Sequence, residues 1–227
     1  MVSSFQRIRS RLCRREIVAR LLEAGGNPDA VEWGHTAYAL ARMYGNWEAA
    51  EEMKKAGCNT DLTVEEAAIS KAVAGERPNP IDPSNLPGET QDMIRSQVHL
   101  PDALQRTRAL VAVGLPFDKA DPQGLTPVQI AGWEGLPDVM EFLLSLGPDL
   151  EHINGYGGDL MSTIIHGSEN APPRKARDHV ACARLALEAG VLLRRTDIEF
   201  AGAPDMAAFL ADWGEAYPDQ LTEARLE

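Results

Sequence analysis

DPQGLTPVQIAGWEGLPDVMEFLLSLGPDL, residues 121–150, is the stretch that decides the fold. It opens with Asp-Pro-Gln-Gly at 121–124, a turn signal in which proline sets one backbone angle and glycine can take a positive φ. Thr126 and Pro127 suit the N-cap and the first position of a short helix. Gly135 ends that helix, and the apolar residues beyond it recur at helical spacing up to a glycine stop. The stretch therefore predicts a turn followed by a short helix and a longer one.

The same pattern occurs once more, 90 residues earlier in the chain. In residues 30–61 five residues match the later stretch in type and order, namely Gly34, Thr36, Ala41, Gly45 and Gly57, which pair with Gly124, Thr126, Ala131, Gly135 and Gly147. Both stretches resemble the ankyrin repeat, whose period is roughly 33 residues. Because 90 residues exceed two such periods by about 24, the resemblance implies an insertion between them. Residues 76–99, which hold four prolines, have that length.

The resemblance to the ankyrin family extends over nearly the whole chain, as about six repeats in a single domain. A further internal match supports this, because GLPDVMEFLLSLG from Gly135 and GAPDMAAFLADWG from Gly202 share both glycines, Pro-Asp and Phe-Leu. The expected repeats are 3–29, 30–62, 63–120 with the insertion 76–99, 121–153, 154–192 with a second insertion 168–177, and a degenerate cap 193–217 that has lost its turn, followed by an acidic tail 218–227. The implied fold is an all-α helical-repeat solenoid with short turns in place of strands.

The Thr-Pro-Leu-His tetrad of the family is incomplete in both well-matched repeats. It reads Thr-Ala-Tyr-Ala at 36–39 and Thr-Pro-Val-Gln at 126–129. The histidine that in the family hydrogen-bonds between neighbouring turns is therefore missing. Trp47 and Trp213 fall where the family has core leucine, so we expect both to be buried in a less regular stack.

The charge of the chain bears on its partners. A formal net charge of −12 argues against nucleic acid, since binding to phosphates needs several Lys or Arg side chains. Residues 1–15 hold five arginines and no acid, which leaves 17 basic and 34 acidic groups in the remainder. An acidic body favours basic partners and steers them during association. The same charge also serves solubility, and both interpretations stay open.

The cysteine count and the lengths of the apolar runs bear on the cellular compartment and on targeting. Three cysteines do not make a disulfide framework, and Cys58 and Cys182 are predicted to be small core residues. No apolar run reaches the ~18–20 residues of a membrane span, and no apolar stretch follows the N-terminal arginines as a secretion signal requires. Residues 1–15 are either a cap helix or a targeting segment, and the repeat register of residues 17–25 favours the cap. We expect a monomeric cytoplasmic protein without membrane contact.

No catalytic or metal-binding motif stands out in the sequence. The histidines are scattered, with no pair at metal-ligand spacing. The glycine-rich residues 155–158 lack the preceding apolar strand that a phosphate-binding loop needs. We therefore expect no metal, no cofactor and no enzyme activity. The alternative from another class is an enzyme on a helical-repeat scaffold that uses His35, His166 or His179.

The family resemblance implies a concave binding surface formed by the turns and the inner helices. Carried over residue by residue, the contact positions are Glu32, Trp33, His35, Met43, Tyr44, Pro122, Gln123, Leu125, Trp133, Glu134 and Tyr156. Four of these are Trp or Tyr, residue types that are enriched in interface hot spots. The alternative is that the rings fill gaps between irregular repeats or pack against the long insertion.

The sequence thus predicts a non-enzymatic protein that binds another protein through its concave face, with acidic groups at the rim favouring a basic partner. The alternative within binding is an acidic inhibitor or immunity-type protein that blocks a basic enzyme. The 76–99 insertion is interpreted as a tolerated insertion, a second contact or a lid across the inner helices. One helical turn is expected within it, at residues 93–98.

Overall fold

The computed structural model describes residues 15–100, 102–172 and 177–223. This part of the chain is mostly α-helical, which confirms the all-α class predicted from the sequence. The chain divides into two compact modules, residues 1–116 and 117–227, which we call the N-terminal and the C-terminal module. The division into repeats of one domain stays a prediction, and the predicted cap before residue 15, with Cys13, lies outside the described residues.

The N-terminal module is built from helices and one short hairpin. Its elements are α1 Arg15–Glu23, β1 Val31–Glu32, β2 His35–Thr36, α2 Ala37–Met43, α3 Trp47–Lys55, α4 Val64–Val73, a 3-10 turn at Pro83–Asn85, α5 Gly88–Gln91, α6 Met93–Gln97 and α7 Ala103–Ala112. The strands β1 and β2 are antiparallel, with Val31 opposite Thr36. Helix α2 packs against α3 and α4, α3 against α1, and α7 against α4 and α6.

The C-terminal module is also built mainly from helices. Its elements are α8 Pro127–Glu134, α9 Pro137–Leu144, α10 Leu160–Asn170, α11 His179–Glu188, β3 Leu193–Arg194, α12 Arg195–Phe200, α13 Pro204–Ala216, a 3-10 turn at Pro218–Gln220 and β4 Leu221–Thr222. Helix α10 packs against α8 and α11, and α9 packs against both α8 and α11. The buried core is apolar and includes Met140, Leu143, Leu160, Met161, Ile164 and Leu187.

Threonine hydroxyls start three of these helices, as the sequence predicts for two of them. Thr36 Oγ1 accepts a hydrogen bond from the backbone N–H of Ala39 at 3.1 Å. Thr63 and Thr126 make capping boxes, in which the side chain of Glu66 or Gln129 bonds back to the N-cap N–H. These bonds satisfy backbone donors that have no partner inside the helix. The local sequence therefore fixes where each helix begins.

Glycine sets the closest approach between α8 and α10. A Cβ atom on Gly167 would lie 2.7 Å from the Cα of Trp133. A Cβ on Gly132 would lie 2.6 Å from Cγ1 of Ile164. The two helices therefore pack backbone to backbone, which any larger side chain at Gly167 would prevent.

The insertion at residues 76–99 is an ordered part of the N-terminal module. It contains the 3-10 turn, α5 and α6, and the helix at Met93–Gln97 confirms the helical turn expected there. Leu86, Met93, Ile94 and Val98 are buried. The insertion is therefore packed into the core rather than merely tolerated.

The bounds expected from the repeat pattern stay predictions, but two features of the structure bear on them. Helix α10 continues to Asn170, into the expected second insertion. Leu193–Arg194, in the expected cap, pairs in parallel with Leu221–Thr222 of the expected acidic tail.

The two tryptophans expected in the core differ. Trp213 is buried, at 8% exposure, and its indole N–H donates to Gln220 Oε1 at 3.0 Å. Trp47 is 36% exposed at the first position of α3, with the Arg42 guanidinium 5.0 Å above its ring. The amphipathic indole thus covers the helix end instead of filling the core.

No helix in the described part of the chain has the length and apolar character to cross a membrane.

Candidate functional site

The predicted contact residues divide between the two modules and differ in exposure. In the N-terminal module His35, Met43 and Tyr44 are buried, and Glu32 and Trp33 are half-buried. In the C-terminal module Glu134 is buried, Leu125 and Trp133 are half-buried, and Pro122, Gln123 and Tyr156 are exposed. The expectation of a freely exposed contact set therefore fails for the four buried residues. The single face shared by both modules stays a prediction.

His35 belongs to a buried polar network in the N-terminal module. Its Nδ1 lies 2.6 Å from Glu66 Oε1, and its Nε2 lies 2.6 Å from Thr90 Oγ1. Because a carboxylate only accepts, Nδ1 donates to Glu66. Burial raises the pKa of Glu66, but hydrogen bonds from His35 and from the Thr63 N–H outweigh burial and hold it below its ordinary value. His35 is therefore a structural link between β2, α4 and the insertion.

Residues 81–98 of the insertion, which we call the strap, lie against the predicted contact positions of the N-terminal module. Thr90 bonds to His35, and the Ser96 hydroxyl lies 3.4 Å from the Tyr44 hydroxyl. A Cβ on Gly34 would lie 3.3 Å from Cγ of Pro87. The ring of Tyr44 therefore packs with the insertion, which was the alternative explanation for the aromatic residues.

The C-terminal module keeps its turns open. Asp121 organises the first one, because its Oδ1 accepts from the N–H groups of Gln123 at 2.8 Å and Leu125 at 2.9 Å. Gly124 has a φ of +74°, which the turn requires. The exposed Gln123 offers its carbonyl to the N–H of Gly155 at 2.8 Å, so this turn is tied to the following one.

Gln129 stands where the resemblance to the ankyrin family leads us to expect a histidine, and it bridges neighbouring turns. Its Nε2 donates to the carbonyl oxygen of His152 at 3.1 Å and lies 3.5 Å from that of Gly158. His152 Nε2 in turn donates to the Gly124 carbonyl at 2.7 Å. The hydrogen-bonded connection between neighbouring turns is therefore made by the side chains of Gln129 and His152.

The second open turn presents Tyr156, which is 77% exposed. Asn154 Oδ1 accepts from the N–H groups of Tyr156 at 2.9 Å and Gly158 at 3.1 Å, which fixes the turn backbone. Asp159 follows as the N-cap of α10 and pairs with Arg194 at 2.8 Å. Arg194 belongs to β3 and precedes α12, so this ion pair ties the turn to β3.

Leu192, directly before β3, is 55% exposed and was missed by the sequence interpretation. The repeat pattern gave no turn to the last repeat, so no contact position was assigned there. The signal available was the apolar Leu192 between Gly190 and Arg194. We call the exposed or half-buried side chains of the two turns and of this segment the turn surface: Gln123, Leu125, Tyr156 and Leu192.

Two further predicted contact residues, Trp133 and Glu134, serve the internal structure of the C-terminal module. Glu134 forms a buried ion pair with Arg177. The Trp133 carbonyl accepts from His179 Nε2 at 2.9 Å, and its ring lies 4.9 Å from that of His166 between centroids. The end of α8 therefore anchors the start of α11.

The described residues hold no cluster of three or more metal-ligating side chains. Each of the three histidines proposed for the enzyme alternative has hydrogen-bond partners in its own module: His35 bonds to Glu66 and Thr90, His179 to the Trp133 carbonyl, and His166 accepts from Asn170 Nδ2 at 3.2 Å. Both described cysteines are buried. Burial and two nearby carboxylates raise the pKa of Cys182 to about 12, so its thiol is a poor nucleophile.

The chain matches no protein-family model. It is similar over 62 residues to protein phosphatase 1 regulatory subunit 27 of Homo sapiens and to the protein of the same description in Mus musculus, with 39% identity to each. The match covers 27% of this chain and 40% of the length of each relative, so the similarity spans less than half of those proteins.

Proposed function

We propose that this chain is an ankyrin-type helical-repeat protein that binds another protein through the turn surface of its C-terminal module and catalyses no reaction itself. Helices that begin at threonine N-caps and pairs of helices separated by glycines at positive φ support the repeat architecture. The partial similarity to a regulatory subunit of protein phosphatase 1 supports a regulatory role exercised by binding.

The observation that carries the proposal is the exposure of Tyr156 on a turn with a fixed backbone. Its neighbours hydrogen-bond to Asn154, and the turn is bonded to the preceding one through Gln123. A side chain held out by an ordered backbone loses little conformational entropy when a partner covers it. Tyrosine is also one of the residue types that dominate binding energy in protein interfaces.

The charge of the C-terminal module supports a basic partner. Its described residues, 117–172 and 177–223, include 18 acidic and five basic side chains. Three of those five, Arg177, Arg194 and Arg195, already pair with carboxylates. The field around the turn surface is therefore negative, which accelerates encounter with a positively charged protein and weakens as salt screens it.

A matched pair of variants tests the site. Tyr156→Ala removes the exposed ring of the turn surface, whereas Phe200→Ala removes a ring of equal exposure, 76%, at the end of α12. We expect proteins captured by the wild-type chain from its native lysate, identified by mass spectrometry, to be lost with Tyr156→Ala and kept with Phe200→Ala. Equal capture by all three chains would contradict binding through the turn surface.

The affinity of the captured partner should fall steeply when salt is raised, because exposed charges are screened within about 8 Å at physiological ionic strength. Protein phosphatase 1 is the first purified candidate to test, given the relatives that the chain matches. An affinity that does not change with salt would argue against a partner chosen by charge, while leaving the ring contact in place.

A further inference from the structure

The strap, residues 81–98, covers the positions of the N-terminal module that correspond to open ones in the C-terminal module. Its apolar side chains Leu86, Met93, Ile94 and Val98 are buried, and Thr90 and Ser96 reach His35 and Tyr44. The flanking residues 74–80 are mostly exposed, so the strap is joined to α4 by a solvated linker. The strap is thus a distinct packed segment with an exposed connection on its N-terminal side.

Two residues with an uncommon backbone conformation lie where the strap meets the rest of the module. Among the described residues, positive φ at a residue other than glycine occurs at Trp33, with φ 49°, and at Asp102, with φ 59°. Trp33 and Gly34 form the two-residue turn of the hairpin against which the strap packs, a turn that requires positive φ. Asp102 lies where the strap leads into α7, and aspartate adopts this conformation more readily than most residues. The two positions therefore mark the ends of the contact between the strap and the module.

The interface beneath the strap is also unusually polar. His35, Thr90 and Gln97 are buried there, and Gln97 Oε1 lies 3.4 Å from Arg106 Nη1. Gln97 Nε2 and the Thr107 hydroxyl are buried without a hydrogen-bond partner among the described residues. Polar groups that water would solvate better than the closed interface does make opening of the strap easier.

We propose that the strap is an autoinhibitory segment that closes a second binding face on the N-terminal module and leaves it to admit a partner. Opening frees the Tyr44 ring and the Nε2 atom of His35. The occupant that replaces the strap is a protein segment with apolar side chains and a hydroxyl or amide group that bonds to His35, as the Thr90 hydroxyl does now. The consequence for binding rests on the proposed function, but the opening itself does not.

Hydrogen–deuterium exchange of the full chain, followed by mass spectrometry, tests the opening. We expect amides of α5 and α6 in the strap to exchange at least tenfold faster than those of α3 and α4, because local opening needs less free energy than global unfolding. Thr90→Val keeps the side-chain shape but removes the bond to His35, and it should speed exchange in the strap a further tenfold or so. Amides of α8 and α10 should be unaffected.

Two more variants keep the test decisive. Tyr44→Phe removes the hydroxyl that faces Ser96 and should speed strap exchange by a smaller factor, in case Thr90→Val fails to fold. Thr60→Val, at an exposed threonine of the same module, should leave exchange unchanged. The proposal is overturned if the strap exchanges at the rate of α3 and α4, or if Thr90→Val accelerates all helices of the module equally.

The exchange test of the strap and the capture test of the turn surface can fail independently. Loss of partner capture with Tyr156→Ala concerns the C-terminal module alone, whereas strap exchange is measured without any partner. An open strap together with unchanged capture in Thr90→Val would place all binding in the C-terminal module. It would overturn the autoinhibitory role of the strap and leave the turn surface intact.

Discussion

Residues 30–61 and 121–150 carry the same pattern of glycine, threonine and alanine, yet they build different surfaces. Both use a threonine N-cap, a short helix, a glycine at positive φ and a second helix. The N-terminal copy has a hairpin with Trp33 at positive φ and is covered by the strap. The C-terminal copy has an open turn organised by Asp121.

The difference between the copies shows that the shared pattern specifies the helices but does not determine which of their side chains are exposed. Positions 43–45 and 133–135 are equivalent in register, and each is met by a residue from the insertion of its own module. Ser96, in the first insertion, lies next to Tyr44, and Arg177, at the end of the second, pairs with Glu134. These positions are therefore used internally, whereas Gln123 and Tyr156 in the turns of the C-terminal module stay exposed.

The largest expected effect is a loss of stability in the C-terminal module, caused by a substitution at Gly167. Gly167→Val places side-chain atoms where α10 meets the backbone of Trp133, so the helices must separate, and we expect a loss of about 3 kcal/mol in the free energy of unfolding. Urea denaturation followed by circular dichroism measures it. Gly88→Ala in the strap, where a Cβ has open space, should change stability by less than about 0.5 kcal/mol. Similar losses for both would show that the close packing is not as described.

The next effect is the pH dependence of the stability that Glu66 contributes to the N-terminal module. The folded-state pKa of Glu66 lies below its ordinary value of 4.5, so its bonds stabilise the fold above that pH and are lost as pH falls through the lower folded value. Glu66→Gln should therefore cost about 2 kcal/mol at pH 7 and progressively less as the pH is lowered through the folded-state pKa of Glu66. Urea titrations at pH 7 and at a series of pH values below 4.5 give the difference, with Glu65→Gln as the neighbouring control. A cost that stays constant with pH would contradict the role of the carboxylate.

Gln129 is the side chain that distinguishes the C-terminal copy, since the corresponding residue of the N-terminal copy is Ala39. Gln129→Ala removes the bond to the His152 carbonyl and half of the capping box at Thr126, and it should cost about 1–2 kcal/mol. Thermal melting compared with Gln123→Ala, at an exposed turn position, isolates the bridging bond. If the two variants melt alike, Gln129 does not replace the family histidine.

The smallest effect compares one cysteine from each module. Burial raises the pKa of both thiols, to about 12 for Cys182, and Cys182 is fully buried whereas Cys58 is 8% exposed. Iodoacetamide should therefore label Cys58 first and Cys182 only on unfolding, without any change in stability. Mass spectrometry of the labelled peptides measures the order. Faster labelling of Cys182 would contradict the packing of α11.

The helices could be predicted from the sequence because their signals are local. Thr126, and Thr36 in the matching stretch, mark N-caps that the structure contains. The N-cap hydrogen bonds join residues within one helical turn, so residues adjacent in the sequence are enough to predict them. Gly167, by contrast, matters through the backbone of Trp133, which no local pattern shows.

The candidate site could be predicted only in part because exposure depends on distant contacts. Tyr156 is exposed as expected, since its turn is fixed by its own neighbours. Tyr44 is buried by Ser96 and the rest of the strap, 52 residues further along the chain. Family register assigns a position to a surface, but an insertion absent from the family can cover that surface.

A photo-crosslinking amino acid placed at position 156 tests the central proposal most directly. With p-benzoylphenylalanine in place of Tyr156, we expect the captured partner to be crosslinked to the turn surface, whereas the same substitution at Phe200 should give little product at equal exposure. Crosslinking at 200 that equals or exceeds that at 156, with the partner still bound, would contradict the account.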